Sequence, residues 1–288
     1  MKSYHHFAYL VSIRNVALVS ASTILLASTA SAALVSQYDL EEGTGTVASQ
    51  SVIGGAPDGN IVGSATWVSG IAPDSTQAVQ VVSGSRIEIA SNGVWGNLSG
   101  FSVSAWIQPT GFAGSGNTAS PVFWLGTSGG SARFTLQMND FGDLRVGGRR
   151  TGTETDFNGS LVVGTNVGGG TNGSDSDPIQ LGQIYHVAAT ADYSTGLLSL
   201  YINGVLVASD TISAWGTGTT ADEQYVIRIG SNAAGSEQFL GVIDDVRVYD
   251  TQLSASEVAA LAIPEPTIAA LGGFALLGWT LTGRRRIS

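Results

Sequence analysis

Cysteine is missing from all 288 residues, so no disulfide can support the fold and stability must come from a packed core. Lysine occurs once, at Lys2, and histidine three times, at His5, His6 and His186. Charge is sparse and lopsided, with 12 Lys and Arg against 22 Asp and Glu. Such a chain has little to offer nucleic acid, anionic lipid or phosphate. Only seven prolines occur, and two of them fall in one tripeptide near the C-terminus. Helical periodicity is nearly absent between the two ends. What the chain has in quantity is glycine, at 39 residues, set between short runs that alternate apolar and polar.

The C-terminal end reads Ile263-Pro264-Glu265-Pro266, an apolar run over 267–282, then Gly283-Arg284-Arg285-Arg286. The two prolines fix φ and disfavour helix in the residues before them, which makes an extended stem. As a transmembrane helix the run would span roughly 24 Å, against a hydrocarbon core of roughly 30 Å. The span is short, so the arginines must snorkel to the cytoplasmic headgroups. A buried core helix is the rival reading, and it needs those arginines accommodated at its end. The layout resembles the PEP-CTERM sorting signal of Gram-negative bacteria. That resemblance implies recognition by an exosortase-type membrane protease and a transient stay in the inner membrane. Pro264, Glu265, Pro266, Arg284, Arg285 and Arg286 would then be the sorting elements.

At the other end, Lys2 and Arg14 lie in a polar n-region and 16–26 forms an apolar h-region. Ala30-Ser31-Ala32 supplies the small-x-small pattern that signal peptidase cuts. The expectation is a signal peptide over 1–32, a domain over 33–262 and a sorting segment over 263–288. A retained amphipathic helix is the alternative for the first of these. Setting aside Lys2, Arg14 and the three terminal arginines leaves seven basic residues, all arginine. Setting aside Glu265 leaves 21 acidic ones, so the exported part carries a formal charge of −14. It would stay soluble outside the cell and could attract divalent cations.

Period two dominates this middle part. Strands are expected at 34–40, 78–82, 86–89, 101–107, 122–125, 133–138, 185–192, 197–202, 205–209, 225–229 and 242–249. Asn203-Gly204 supplies the positive φ that a type I′ hairpin turn requires. Ser254-Ala-Ser-Glu257 is a capping box opening a helix through about Ala262. Gly164 to Pro178 has no periodicity and reads as a loop. An all-β, two-sheet antiparallel sandwich or jelly roll follows. Roughly 230 residues suffice for one such domain with a sizeable core.

Several blocks, in order, resemble LamG-like jelly-roll domains of the concanavalin A-like lectin/glucanase superfamily. They are Tyr38-Asp39-Leu40-Glu41-Glu42-Gly43-Thr44-Gly45, Ser102-Val103-Ser104-Ala105-Trp106-Ile107-Gln108-Pro109 and Tyr185-His186-Val187-Ala188-Ala189-Thr190. Leu200-Tyr201-Ile202-Asn203-Gly204, 239–249 and Leu253-Ser254-Ala255-Ser256-Glu257-Val258 complete the set. The scaffold hosts lectins, glycosidases, adhesins and pentraxin-like binders, so the resemblance fixes fold more tightly than function.

Enzyme signatures are weak. Gly126-Thr-Ser128-Gly-Gly130 fits the nucleophile-elbow pattern but lies between two strands, as a hairpin turn would. His186 is the one histidine left after the leader, and it sits inside a strand beside apolar neighbours. Gly43-Thr-Gly45-Thr-Val-Ala48 mimics a dinucleotide fingerprint, yet Glu41 and Glu42 would repel a pyrophosphate. Glycosidases of the superfamily carry Glu-x-Asp-x-Glu on one strand, whereas here Glu154-Thr155-Asp156-Phe157-Asn158 lacks the last carboxylate. No catalytic residue is assigned, though carboxylates from distant strands could still converge.

Binding is the better expectation. The family often holds a structural calcium through an aspartate at the start of its last long strand, a place Asp244 occupies. Asp244 shares parity with Val246 and Val248, so it should face the core side, compensated by a cation or by backbone amides or an arginine. Ser49 stands near the place where the family usually has a further acidic ligand. Trp95 and Trp215, in Gly-rich connections, are candidate platforms for sugar rings, unless both tuck down as loop anchors. Trp106 and Trp124 fall in strands and read as core. The expected function is a lectin-like module for extracellular polysaccharide, with signal peptidase and an exosortase-like protease as processing partners and no nucleic acid. A surface protein without a discrete ligand site and a glycan hydrolase are the alternatives.

Overall fold

The computed structural model describes residues 32–112, 119–127, 132–139, 142–148, 160–163, 179–211 and 225–263. Among these the chain forms sixteen strands and one helix. In chain order the strands are β1 Leu34–Tyr38, β2 Val47–Ala48, β3 Gly59–Val62, β4 Thr66–Ser69, β5 Gln77–Val81, β6 Arg86–Ile89, β7 Gly100–Gly111 and β8 Ala119–Thr127. Then come β9 Ala132–Asn139, β10 Leu144–Gly148, β11 Ser160–Val163, β12 Tyr185–Asp192, β13 Leu197–Ile202, β14 Val205–Thr211, β15 Tyr225–Ile229 and β16 Leu240–Tyr249. The helix is α1, Ala255–Leu261.

The strands make two antiparallel sheets, the sandwich expected from the alternating pattern. One runs β14-β13-β12-β7-β16-β5-β4, with β1 also paired to β16; the other runs β11-β10-β9-β8-β15-β6-β3-β2. Alternation along β7 shows how sequence sets the layers. Phe101, Val103, Ala105 and Ile107 enter the core between the sheets, while Ser102, Ser104, Trp106 and Gln108 fall on the outer face. That outer face is partly roofed by α1, where Val258 joins Ala188, Tyr201, Tyr249 and Leu253 in a second apolar cluster.

Local chemistry places the turns and the helix. Asn203 and Gly204 adopt φ of 51° and 77°, as a type I′ turn between β13 and β14 demands. Ser254 caps α1, accepting from the Glu257 amide while Glu257 accepts from the Ser254 amide. Pro121 and Pro109 cannot donate to a ladder, and each sits beside a register shift, in β8 and in the β7–β16 pairing.

The short strands β2, β3, β4, β10 and β11 were not expected from the sequence. Residues 1–31 of the signal peptide expected over 1–32, the apolar segment 267–282 and the loop 164–178 lie outside the described residues, as do Ala30, Pro264, Glu265, Pro266 and Arg284 to Arg286. Among the described residues no helix is long and apolar enough to cross a membrane. Ala32 is described, and its amide lies 3.4 Å from Glu257 Oε1.

Candidate functional site

Two of the expected site residues need correction. Trp95 is 1% exposed and belongs to the core. Its ring meets Phe101 edge-on at 5.9 Å and Phe123 at 5.8 Å, and Phe101 meets Phe134 at 5.0 Å. The loop before β7 thus folds its tryptophan down between the sheets, because apolar area of that size is worth more buried than wet. Trp95 is an anchor, with no face open to a ligand. Trp215 lies outside the described residues.

Asp244 is the second correction, in direction rather than in burial. Ile243 pairs with Ile107, a core residue, and Asp244 therefore pairs with Trp106 on the outer face. A register shift between Asp244 and Arg247 then restores Val246 and Val248 to the core. The bulge breaks the simple parity that the sequence suggests, and Asp245 at φ 44° absorbs the extra residue. Asp244 is nonetheless fully buried, because the loop between β4 and β5 covers it. The Ile71 and Ala72 amides both donate to Asp244 Oδ2 at 2.9 Å. Burial pushes the carboxyl up, and the two amides and the Ser75 hydroxyl pull against that shift. Its Oδ1 is buried with no hydrogen-bond partner. A pair of amides therefore supplies much of the compensation that a cation was expected to give. Among the described residues no group of three or more His, Cys, Asp or Glu could hold a metal ion; the orphaned Oδ1 is the feature that fits a hard cation.

Around this bulge the outer face opens into a groove. A cavity of about 350 Å³ is bounded by Gln37 of β1, by Asp39 and Glu41 just after it, by 72–75 from the loop, and by Asp245 and Arg247 from β16. A smaller one of about 140 Å³ shares Pro73, Asp74, Asp245 and Arg247 with it and adds Trp106, Ala260, Leu261 and Ile263. The two adjoin at these shared residues, the larger lined mainly by carboxylates and the smaller by the Trp106 ring. Three non-glycine residues with left-handed backbone stand at it: Leu40 at φ 58°, Asp74 at φ 62° and Asp245 at φ 44°. Such conformations persist only where surrounding structure enforces them, and they concentrate at binding sites.

Hydrogen bonds hold the groove's walls. Arg247 forks onto Asp245, Nε to Oδ1 at 2.9 Å and Nη2 to Oδ2 at 2.9 Å, and Gln37 donates to Asp245 Oδ1 at 3.1 Å. Burial would lower Arg247, but its bonds to Asp245 and that residue's charge raise it. Burial and then the neighbouring Asp245 push Asp39 up, against hydrogen bonds from Ser51 and Gln37. Glu41 accepts from Ser75 Oγ at 2.6 Å and from the Thr76 amide at 3.0 Å. Burial opposes ionisation of Glu41, yet the bonds from Ser75 and Thr76 together bring it below its ordinary value. Trp106 is half-buried and packs edge-on against His186 at 5.4 Å. It is an outer-face residue, so the core assignment for it fails, and alternation along β7 was the signal that could have shown this. His186 is 2% exposed and held down to about 4 by burial and by Arg247. A neutral imidazole with this little exposure matches the strand-histidine reading of the sequence. Trp124 faces outward from the second sheet, pairing with Arg228 and Thr135 and 7% exposed.

Two antiparallel sheets packed face to face, with a groove on an outer face, define the concanavalin A-like class of sandwich domain. Residues 82–259 match the Laminin_G_3 family of the concanavalin A-like lectin/glucanases superfamily, and the chain belongs to that superfamily. Among solved structures it is similar to domain 4 of AbnA, an extracellular arabinanase of Geobacillus stearothermophilus, determined in complex with arabinotriose. The identity is 22% and the TM-score 0.56, covering 81% of this chain and all of that one. The binding domain of Paraclostridial Mosquitocidal Protein 1 matches at 18% identity and TM-score 0.54, over 80% of this chain and 51% of that one. The binding domain of botulinum neurotoxin serotype G matches at 15% and 0.55, over 80% and 50%. At such identities the likeness is one of fold. No curated protein matches the chain.

Proposed function

We propose that this chain is an exported surface or matrix protein whose sandwich domain binds carbohydrate in the groove between Trp106 and Asp39. The observation that carries the reading is the groove itself, where one half-buried aromatic ring stands beside converging carboxylates, a carboxamide and a guanidinium. An aromatic face takes the CH side of a sugar while such polar groups take its hydroxyls. Fold relatives support it: the AbnA domain is described with a bound trisaccharide, and the two toxin domains are binding domains. The chain is read as a binder rather than an enzyme, since Glu154-Thr155-Asp156-Phe157-Asn158 lacks the third carboxylate of the glycosidase motif. A glycan array probed with the full chain tests the reading. Binding should fall at least tenfold in Trp106→Ala, and a blank array with well-folded protein would sink it.

The ends give the address. A signal peptide over 1–32 and an exosortase-type signal over 263–288 would place the sandwich outside the cytoplasm, first tethered by the inner membrane and then processed. Support comes from the small-x-small site at Ala30 and Ala32 and from the order Pro264-Glu265-Pro266, apolar run, Arg284 to Arg286. Replacing Pro264, Glu265 and Pro266 by alanine should trap a full-length membrane form. Unchanged processing would refute recognition at that motif. A single calcium ion on Asp244 Oδ1 belongs to the same proposal, supported by that oxygen's burial without a partner. Melting that does not change on chelation, with no calcium in the native mass, would remove it.

A further inference from the structure

Apolar residues stand exposed at one end of the first sheet. Among the described residues eight large apolar side chains are exposed, and six of them gather there: Leu181, Ile184, Val205, Leu206, Val207 and Ile263. Backbone bonds bring these segments together. The Asn203 amide donates to the His186 carbonyl at 2.7 Å and the His186 amide to Asn203 Oδ1 at 3.0 Å, which joins the β13–β14 turn to the start of β12 beside Ile184. The Gly182 amide donates to the Pro109 carbonyl at 2.7 Å and sets Leu181 at the end of β7. A Cβ at Gly204 would lie 3.1 Å from Ala262 Cβ, so the end of α1, and Ile263 after it, rests against the same turn. Charge is missing as well. Segments 179–188, 201–209 and 258–263 contain no Asp, Glu, Lys or Arg, in an exported part of formal charge −14.

We propose that this end is a membrane-contact surface, pressed on the bilayer interface while the chain is tethered. The inference rests on the anchor reading above and extends it from the tail to the domain. After Ile263 only Pro264, Glu265 and Pro266 precede the apolar run, a reach of at most roughly 14 Å when fully extended. The headgroup layer beside the hydrocarbon takes up about 5–8 Å of that. A tether so short holds the Ile263 end of the domain against the headgroups, and the surface presented there is the apolar, uncharged one. Gathered apolar side chains of this kind mark contact surfaces, and they gain by leaving water for the headgroup and acyl boundary. The acidic surface elsewhere is repelled by anionic lipid, which favours the same orientation.

Because the chain has no cysteine, Leu206→Cys, Ile184→Cys and Ile53→Cys each give one site for an environment-sensitive fluorophore. Ile53 is the reference: its loop packs on Val35, next to the Leu34–Tyr249 pair at the far end of β16. The full chain is reconstituted into vesicles of phosphatidylethanolamine and phosphatidylglycerol, floated on a density gradient and exposed to nitroxide quenchers carried by the lipid. Emission from the Leu206→Cys and Ile184→Cys labels should shift to the blue. Quenching there should be severalfold stronger than at Ile53→Cys, as expected of side chains about 5–10 Å into the interface. Adding Val205→Asp, a change at an exposed side chain that spares the core, should return the Leu206→Cys label toward the reference. A chain that floats while all three labels stay equally wet would overturn the docking and leave the anchor intact. A chain that does not float would overturn the anchor reading and the proposal with it. Drying of the Leu206→Cys label that grows with the protein-to-lipid ratio would mean that a second copy covers the patch, and the lipid proposal would fall.

Discussion

The Ala33 amide donates to Asp250 Oδ1 at 3.1 Å, and the Asp250 amide returns a bond to the Ala33 carbonyl at 3.2 Å. If signal peptidase cuts after Ala32, the donor becomes an α-ammonium group and the bond becomes an ion pair that clips β1 to the end of β16. The pair is exposed, so it should be worth less than about 1 kcal/mol. Chain beginning at Ala33 should therefore melt slightly higher than the same chain with Asp250→Asn at pH 6. The difference should vanish near pH 9, where the amine has lost its proton, and in molar salt. An equal gap at both pH values would leave only the neutral hydrogen bond.

His186 predicts an acid-sensitive step in stability. Its ordinary value is 6.5 and the fold holds it at about 4, chiefly by burial and then by Arg247. The folded state thus disfavours the proton, so stability is complete above pH 6.5 and is lost as pH falls toward 4. The ceiling on the loss is about 3 kcal/mol. Glu41 and Asp192, both lowered, also weaken the fold toward acid, while Asp39 and Asp244, both raised, do the opposite. The informative quantity is therefore a difference between proteins. The denaturant midpoint of the parent should fall relative to that of His186→Leu between pH 7 and 4.5, and parallel curves would remove His186 from the account.

Trp95→Ala should cost about 3–5 kcal/mol, the range for deleting a large buried aromatic. Urea unfolding measures it directly. Because Trp95 contacts Phe101 and Phe123 in the core and lines neither cavity of the groove, glycan affinity per folded molecule should stay unchanged. Lost affinity with unaltered stability would restore the platform reading.

The alternation in β7 and the Asn203-Gly204 turn are local signals, and both the sandwich and that hairpin were legible from them. The capping box at Ser254 was equally so, since Ser and Glu three apart suffice to state it. What the sequence concealed depends on contacts across the fold. Asp244 faces outward because a bulge at Asp245 inserts one residue, and no pattern in Ile243-Asp244-Asp245-Val246 marks a bulge. The groove is harder still, since Asp39, Asp74 and Asp245 are far apart in the chain and meet only after β1, β5 and β16 pair. Trp95 was misplaced because a Gly-rich flank suggested exposure, whereas Trp106 was legible, since alternation with Phe101, Val103 and Ala105 along β7 puts it on the opposite face. Exposure is set by the face of a sheet, which only tertiary packing assigns.

Asp244 and the loop it fixes give the last prediction. Asp244→Ala would leave the buried Ile71 and Ala72 amides without acceptors, each loss worth about 1–3 kcal/mol. The variant should therefore unfold roughly 2–4 kcal/mol more easily, and it should do so in excess chelator as well as without it. Asp244→Asn keeps one oxygen for the amides and should recover much of the difference. Since Pro73 and Asp74 of that loop border both cavities of the groove, sugar affinity should weaken in Asp244→Ala even at temperatures where the protein stays folded. A destabilisation seen only without chelator would show the opposite cause: the carboxylate would be acting through a bound ion, and the amide pair would be incidental to holding the loop.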